Sequence, residues 1–299
     1  MDIGQTIVPS AIVIRELRMV QAHEVEHGRV KIVDVHLVFG DVKFVVEPNR
    51  QRCRGIRESD DLVHWTRPIP TSYARSDELQ VYGQRGFAYQ GAYIGMSWMY
   101  EPSHSTRHSS FVQLNCSRDG RIWTRVGAGQ RFMDYNSNHD TWDATIMRPV
   151  SLLEVGDEVF IYYFAASSEL EVENPNYPES APREWSMGLA TLLRDRFASL
   201  NADENSGSLI TRPLSFCGHT LHLNAEITEQ GELTVAALDF DRQPLAGFNH
   251  DDCKLLRGDS INLRVEWQNG SDLSRLEEAD FVRFEFRLRN AKLYSFWVD

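Results

Sequence analysis

The densest set of groups able to move protons lies between Phe132 and Ile146, where Asp134, His139, Asp140, Trp142 and Asp143 precede an apolar run. Two carboxyls in one site, one ionised and one kept protonated, can share general acid and base work. The protonated member needs burial or a like-charged neighbour to stay neutral near pH 7. Asp143, beside Trp142 at the entry to a predicted strand, is the leading candidate. Asp140 is a second, although acids in polar loops are usually solvated. Glu101 follows Ser97-Trp98-Met99-Tyr100 at a strand end and precedes Pro102, as a general acid or as a plain strand-end residue. Trp98 and Trp142 offer flat faces for stacking a ligand, against the commoner use of Trp in packing a sheet. Arg54 and Arg57 alternate with small or apolar residues in Cys53–Ser59 and would hold a ligand hydroxyl, or equally form a surface ion pair.

His139 joins this set as a polar ligand contact, and with His104 and His108 it raises the question of a metal. No spacing resembles H-E-x-x-H or another zinc motif, so neither metal nor cofactor is expected. There is no phosphate-binding G-x-x-x-x-G-K loop, no G-x-G-x-x-G opening a helix and no G-x-S-x-G elbow, which disfavours nucleotide binding and serine hydrolase chemistry.

The elements that must position these residues read as strands. Residues 10–25 suggest a short helix with Ser10 as its cap. From residue 30 the runs are β-branched and roughly alternating, and Gly40-Asp41 reads as a hairpin turn. Three successive groups of short strands follow. The third is interrupted by an acidic loop over 169–184 with three prolines, whose composition denies it a regular strand. After residue 204 the spacing tightens. Six short runs, separated by Gln230-Gly231, Gly258-Asp259 and Asn269-Gly270, predict a β-sandwich.

A local repeat organises the middle of the chain. Ser59-x-Asp61-Leu62-x-x-Trp65-Thr66 matches Ser117-x-Asp119-Gly120-x-x-Trp123-Thr124, 58 residues on, and Leu193–Phe197 is a degenerate third copy. A fixed period of strands with an S-x-D turn and a Trp strand is the pattern of propeller blades. In it the Asp accepts backbone N–H bonds within the turn and the Trp packs between blades. About three such units fit in residues 30–204, fewer than the four or more that close a propeller.

Taken with the Trp142-Asp143 pair, the Gly188-Leu189-Ala190-x-Leu192-x-Arg194-Asp195-x-Phe197 segment and the terminal Leu293-Tyr294-Ser295-Phe296, these blade turns resemble the glycoside hydrolase family 32/43-like proteins. The resemblance covers roughly residues 30–299. It implies an all-β chain: a five-bladed-type β-propeller over 30–204, with blades missing or divergent, then a β-sandwich over 205–299, behind a partly helical segment over 1–29. It also implies hydrolysis of a furanoside or related oligosaccharide through carboxylates at the propeller centre. The carboxyl separation would set the stereochemistry, about 5–5.5 Å for retention and about 6.5–9.5 Å for inversion. The chain has no W-M-N-D-P-N-G-like stretch, no R-D-P and no E-C, the segments that carry the family's acids. A non-catalytic carbohydrate-binding relative and a scaffold for protein partners are the alternatives.

Bulk properties narrow the partners. The net charge of −12 repels a phosphate backbone and anionic lipid, so nucleic acid and membrane are not expected, and a neutral or weakly charged carbohydrate fits better. No segment approaches the roughly 20 apolar residues of a membrane span, and no secretory signal is evident, which gives a cytoplasmic expectation. Cys53, Cys116, Cys217 and Cys253 show no C-x-x-C spacing and read as buried free thiols, with a Cys217–Cys253 bridge as the alternative. An incomplete set of blades leaves an open sheet edge, which a homo-oligomer would cover.

Overall fold

The computed structural model describes residues 25–26, 29–30, 38–46, 51–59, 63–74, 79–101, 109–136, 141–167, 185–276, 279 and 281–299, with side chains from residue 53 onward. His104, His108, His139, Asp140, the acidic proline-rich loop and the expected helix, except Val25 at its end, fall outside them. Among the described residues the chain is all-β: regular structure is strand apart from two short 3-10 turns, Gly127–Gly129 and Ser274–Leu276. The described residues form two compact units, one of 25–153 and 160–190, the other of 154–159 and 191–299.

In the first unit, β1 (Val25–Glu26) and β2 (Arg29–Val30) pair as a short ribbon, and β3 (Val38–Val46), β4 (Gln51–Ser59) and β5 (Ile69–Ser72) form a three-stranded antiparallel sheet. Gly40-Asp41 does not turn a hairpin. Both residues lie inside β3, with Gly40 opposite Arg57 and Asp41 opposite Ile56, in a ladder that runs unbroken from Val38 to Val46. The dipeptide permits a turn but does not impose one, and continuous pairing with β4 satisfies the backbone on both sides of it.

The larger sheet is built from β6 (Gln80–Tyr89), β7 (Ala92–Glu101), β8 (Ser109–Ser117), β9 (Thr124–Arg125), β10 (Arg131–Met133), β11 (Ile146–Val155), β12 (Glu158–Ala166) and β13 (Trp185–Leu193). Its order is β13-β12-β11-β8-β7-β6, with β9 and β10 also pairing with β8. The β6–β7 hairpin closes on Gln90-Gly91, both at positive φ (45° and 76°), the two-residue turn whose twist matches the strands. β8 and β11 run parallel, Ser110 opposite Ile146, so the C-terminal end of β7 and the N-terminal ends of β8 and β11 share one end of the sheet.

The Ser117–Trp123 turn is built as the repeat implies. Asp119 Oδ1 accepts the N–H groups of Arg121 and Ile122 at 2.8 Å each, and Ser117 Oγ accepts from Gly120 at 2.9 Å. In the earlier copy Thr66 exchanges bonds with the backbone of Glu58. The Trp does not pack between blades. Trp123 lies over its own sheet, where a Cβ at Gly95 would stand 2.5 Å from the indole and one at Gly86, its partner across the ladder, 2.9 Å. Paired glycines leave the flat opening that admits the ring.

The second unit is one sheet folded over its own core, formed by β14 (Leu200–Ala202), β15 (Gly207–Ile210), β16 (Leu221–Leu238), β17 (Gly258–Arg264) and β18 (Arg283–Val298). Four of the six short strands expected here are two long ones. β16 and β18 pair along almost their whole lengths, with register shifts at Asn224/Ala225 and Ile227/Glu232. Bulges bend a strand without ending it, so Gln230-Gly231 marks a bend in β16. A side chain at Gly231 would stand 2.4 Å from the Asn290 carbonyl, and Asn290 itself takes a φ of 45°. Leu221, Leu223, Leu233, Val235, Phe284 and Phe286 fill the core around Trp267, which is fully buried and donates Nε1–H to the Val235 carbonyl at 3.0 Å. Each buried large aliphatic or aromatic side chain contributes about 1.5–3 kcal/mol.

Two of the motifs behind the family resemblance meet in this unit. Ser295 Oγ donates to Asp195 at 3.2 Å, the Arg196 guanidinium lies 4.6 Å from the Tyr294 ring, and Arg196 donates to Asn224 at 2.9 Å and pairs with Asp259 at 2.5 Å. The R-D segment therefore pins the chain onto β16 and β18. None of the four cysteines forms a disulfide, so the alternative of a Cys217–Cys253 bridge is not realised; Cys53 and Cys253 are buried, Cys116 is half-buried and Cys217 is exposed.

Candidate functional site

Glu101 closes β7 and is buried, 7% exposed as a residue. Alternation along β7 and β8 puts it on one face of the sheet with Met99, Ser109 and Phe111. Arg131 of β10 reaches it, Nη2 to Oε1 at 2.6 Å, while Ser109 Oγ and the Tyr135 hydroxyl donate to Oε2 at 3.3 and 3.4 Å. The guanidinium lies over Phe111, 4.1 Å to the ring centre, and also pairs with Asp134 at 2.7 Å. Burial works against the charge of Arg131, but its bonds to Tyr135, Asp134 and Glu101 outweigh it and hold the guanidinium above its ordinary pKa. The same face continues as a buried polar ladder: Asn115 donates to Ser97 Oγ at 2.7 Å, and Ser97 donates to Gln84 at 2.8 Å.

Asp143 stands half-buried before β11, at the same end of the sheet. The backbone links them: Ser110, beside Glu101's partner Ser109, donates to the Thr145 carbonyl at 2.9 Å, and Asn136, next to Tyr135, donates to the Asp143 carbonyl at 3.0 Å. Residues 134–136 therefore serve both acids. Asp143 neighbours Tyr163 of β12, whose phenol is pushed above its usual pKa by burial and then by the Asp143 charge. Trp142 stacks on Tyr163 with ring centres 5.8 Å apart and planes 17° from parallel, over Gly188 of β13, where a Cβ would fall 2.4 Å from the phenol ring.

Other predicted site residues lie elsewhere. Trp98 and Tyr100 point from β7 to the face opposite Glu101. The Trp98 indole covers Gly83, where a Cβ would stand 2.2 Å away, so Trp98 is at least in part a packing residue. Arg54 donates to the Tyr82 carbonyl, and Arg57 lies 4.5 Å from the Trp65 ring centre. His139 and Asp140 are outside the described residues. A cleft of about 380 Å³ between Ile56, Thr71, Glu58, Arg121 and Trp123 sits toward the other end of the β7–β8 ladder, far along the strands from Glu101. The Glu58–Arg121 ion pair crosses it.

Arg131, Tyr135, Ser109 and Tyr163 were missed by sequence reasoning. A signal existed in β8, where Gln113, Asn115 and Ser117 occupy alternate positions of a strand whose intervening residues, Val112, Leu114 and Cys116, are apolar. Among the described residues no cluster of three or more His, Cys, Asp or Glu side chains is arranged to hold a metal, and no helix is long and apolar enough to cross a membrane.

No protein-family model matches the chain, and no curated protein matches it. Among solved structures it is similar to an N-acetylgalactosamine deacetylase from F. plautii in complex with blood group B trisaccharide, at 17% identity and a TM-score of 0.35 over 49% of this chain and 43% of that one. It is also similar to a glycoside hydrolase, at 17% identity and a TM-score of 0.39 over 52% of this chain and 40% of that one. The chain spans less than half the length of either. At these scores neither likeness bears on fold or activity.

Proposed function

We propose that this is a carbohydrate-active protein that hydrolyses a glycosidic bond of a furanoside or related oligosaccharide, with Glu101 and Asp143 as its carboxyl pair. One observation carries the reading: a buried carboxylate, gripped by three donors, at the sheet end that also bears Asp143. Arg131, Ser109 and Tyr135 all donate to the Glu101 carboxylate, so Glu101 is given the part of nucleophile or base rather than the general acid expected of it. Asp143, beside Tyr163, is left as the proton donor to the departing oxygen, with the Trp142–Tyr163 stack as a wall of the site. The family resemblance in the blade turns and in Trp142-Asp143 supports the same reaction class.

The test is sugar release from fructosides, arabinosides, xylosides and galactosides by the native chain, Glu101→Gln and Asp143→Asn. The expected result is turnover on at least one class and a loss of roughly 10²–10⁴ in each variant. Native-like rates in both folded variants would overturn the assignment. A second reading, a non-catalytic carbohydrate binder, has its own support: both Glu101 oxygens are already engaged by the protein, as in a structural ion pair. It predicts sugar binding without turnover.

A further inference from the structure

On the face of the large sheet opposite Glu101, a guanidinium lies among aromatic rings, with no acid to balance it among the described residues. β11 runs parallel to β8 with Ile146 opposite Ser110, which puts Arg148 on the face shared by Trp98, Tyr100 and Ser110. The Arg148 guanidinium is 5.0 Å from the Tyr82 ring centre and 5.5 Å from that of Trp185, and the Tyr82 and Tyr100 rings are 6.1 Å apart. Among the described residues no carboxylate forms an ion pair with Arg148. Its Nε and the Trp98 Nε1 are both shielded from solvent and without a hydrogen-bond partner. Burial, opposed only by Tyr82, draws the Arg148 pKa below its ordinary value. A buried donor left unsatisfied destabilises the fold, more so when it is charged. Stability alone would favour an apolar residue or an added acid at this position.

We propose that Arg148 and the rings around it bind the carboxylate of a uronic-acid-bearing oligosaccharide. A guanidinium presents parallel N–H groups matched to a carboxylate. One cation suits one carboxylate charge better than the double charge of a phosphate monoester. Trp185 is 42% exposed and offers a ring face to the sugar, which an acidic peptide would not use in this way. The net charge of −12 opposes an anion at long range, but the Debye length is about 8 Å at physiological ionic strength, so Arg148 dominates once the ligand is seated. The site is on the other face from Glu101 and does not depend on the catalytic reading.

The experiment is calorimetric titration of the full chain with galacturonate oligosaccharides and with their methyl-esterified counterparts, for the native protein, Arg148→Gln and Trp185→Ala. The native chain should bind the acid form, bind the ester roughly ten- to a hundred-fold more weakly, and lose a similar factor in Arg148→Gln. Trp185→Ala, at an exposed position, should weaken both forms and carries the test if Arg148→Gln fails to fold. Absence of binding to the acid form, equal affinity for acid and ester, or unchanged binding in both variants would overturn the proposal. So would equal affinity for a poly-glutamate peptide, which would make the site a general carboxylate receptor. Sugar release enters none of these readouts, so a failure of the hydrolase reading is seen separately.

Discussion

Asp119 shows how one side chain can organise a turn. Its Oδ1 accepts two backbone N–H bonds and the Ser117 hydroxyl, and the bonds from Ile122 and Arg121 draw its pKa below the usual carboxylate value. The turn then delivers Trp123, whose indole N–H returns to the Gly120 carbonyl at 3.0 Å. Asp119→Ala should destabilise the chain by about 1–2 kcal/mol in urea unfolding, and Asp119→Asn by less, because the amide oxygen still accepts. Equal stability of all three would show that the turn forms without the side chain. Glu101 makes the contrasting case. In the sequence it is one acid before a proline, and its partners Ser109, Arg131 and Tyr135 are 8, 30 and 34 residues away.

At the scale of strands, the glycines opposite Trp rings decide what lies on each face. Gly188 of β13 leaves room for Tyr163 of β12 and the stacked Trp142, and alanine there would put Cβ within 2.6 Å of both rings. Gly188→Ala should cost roughly 1–3 kcal/mol and change the tryptophan fluorescence and near-ultraviolet dichroism, because overpacking forces the rings apart. Unchanged spectra would mean that the stack is not held by this opening. The same strands show why boundaries were misjudged. Gly40-Asp41 lies within an unbroken ladder, because the partner strand supplies hydrogen bonds that a dipeptide signal does not reveal, and Gln230-Gly231 falls in the register shift between Ile227 and Glu232 without ending β16.

At the scale of the molecule, the folded C-terminal sheet carries an ionic link whose sign can be followed with pH. Glu226 is held below its ordinary pKa by Lys292, then by the Tyr294 hydroxyl, and Lys292 is correspondingly raised. A carboxyl depressed in the folded state contributes its stability above the unfolded value, about 4.3, and loses it as pH falls through the folded pKa. The native chain should therefore lose more melting temperature between pH 5 and pH 3 than Glu226→Gln does. Parallel losses would show that the pair is fully screened by solvent. Lys292, raised in the folded state, contributes stability that is fully present below its unfolded pKa and is lost as pH rises through the folded one.

Much of the architecture was legible without coordinates: the all-β class, the Ser117-x-Asp119 turn with its backbone-accepting Asp, and the alternating strands. These depend on residues a few positions apart, where side-chain period and turn chemistry act locally. Trp142 and Asp143 were legible as candidates because their types cluster in sequence. Tertiary structure alone decided that Glu101 meets Arg131, that Asp143 faces Tyr163, that Trp98 and Arg148 share the other face, and that four expected strands are two. The physical reason is register. Which side chains meet across a sheet depends on how strands distant in sequence align, and a shift of one residue would send every one of them to the opposite face.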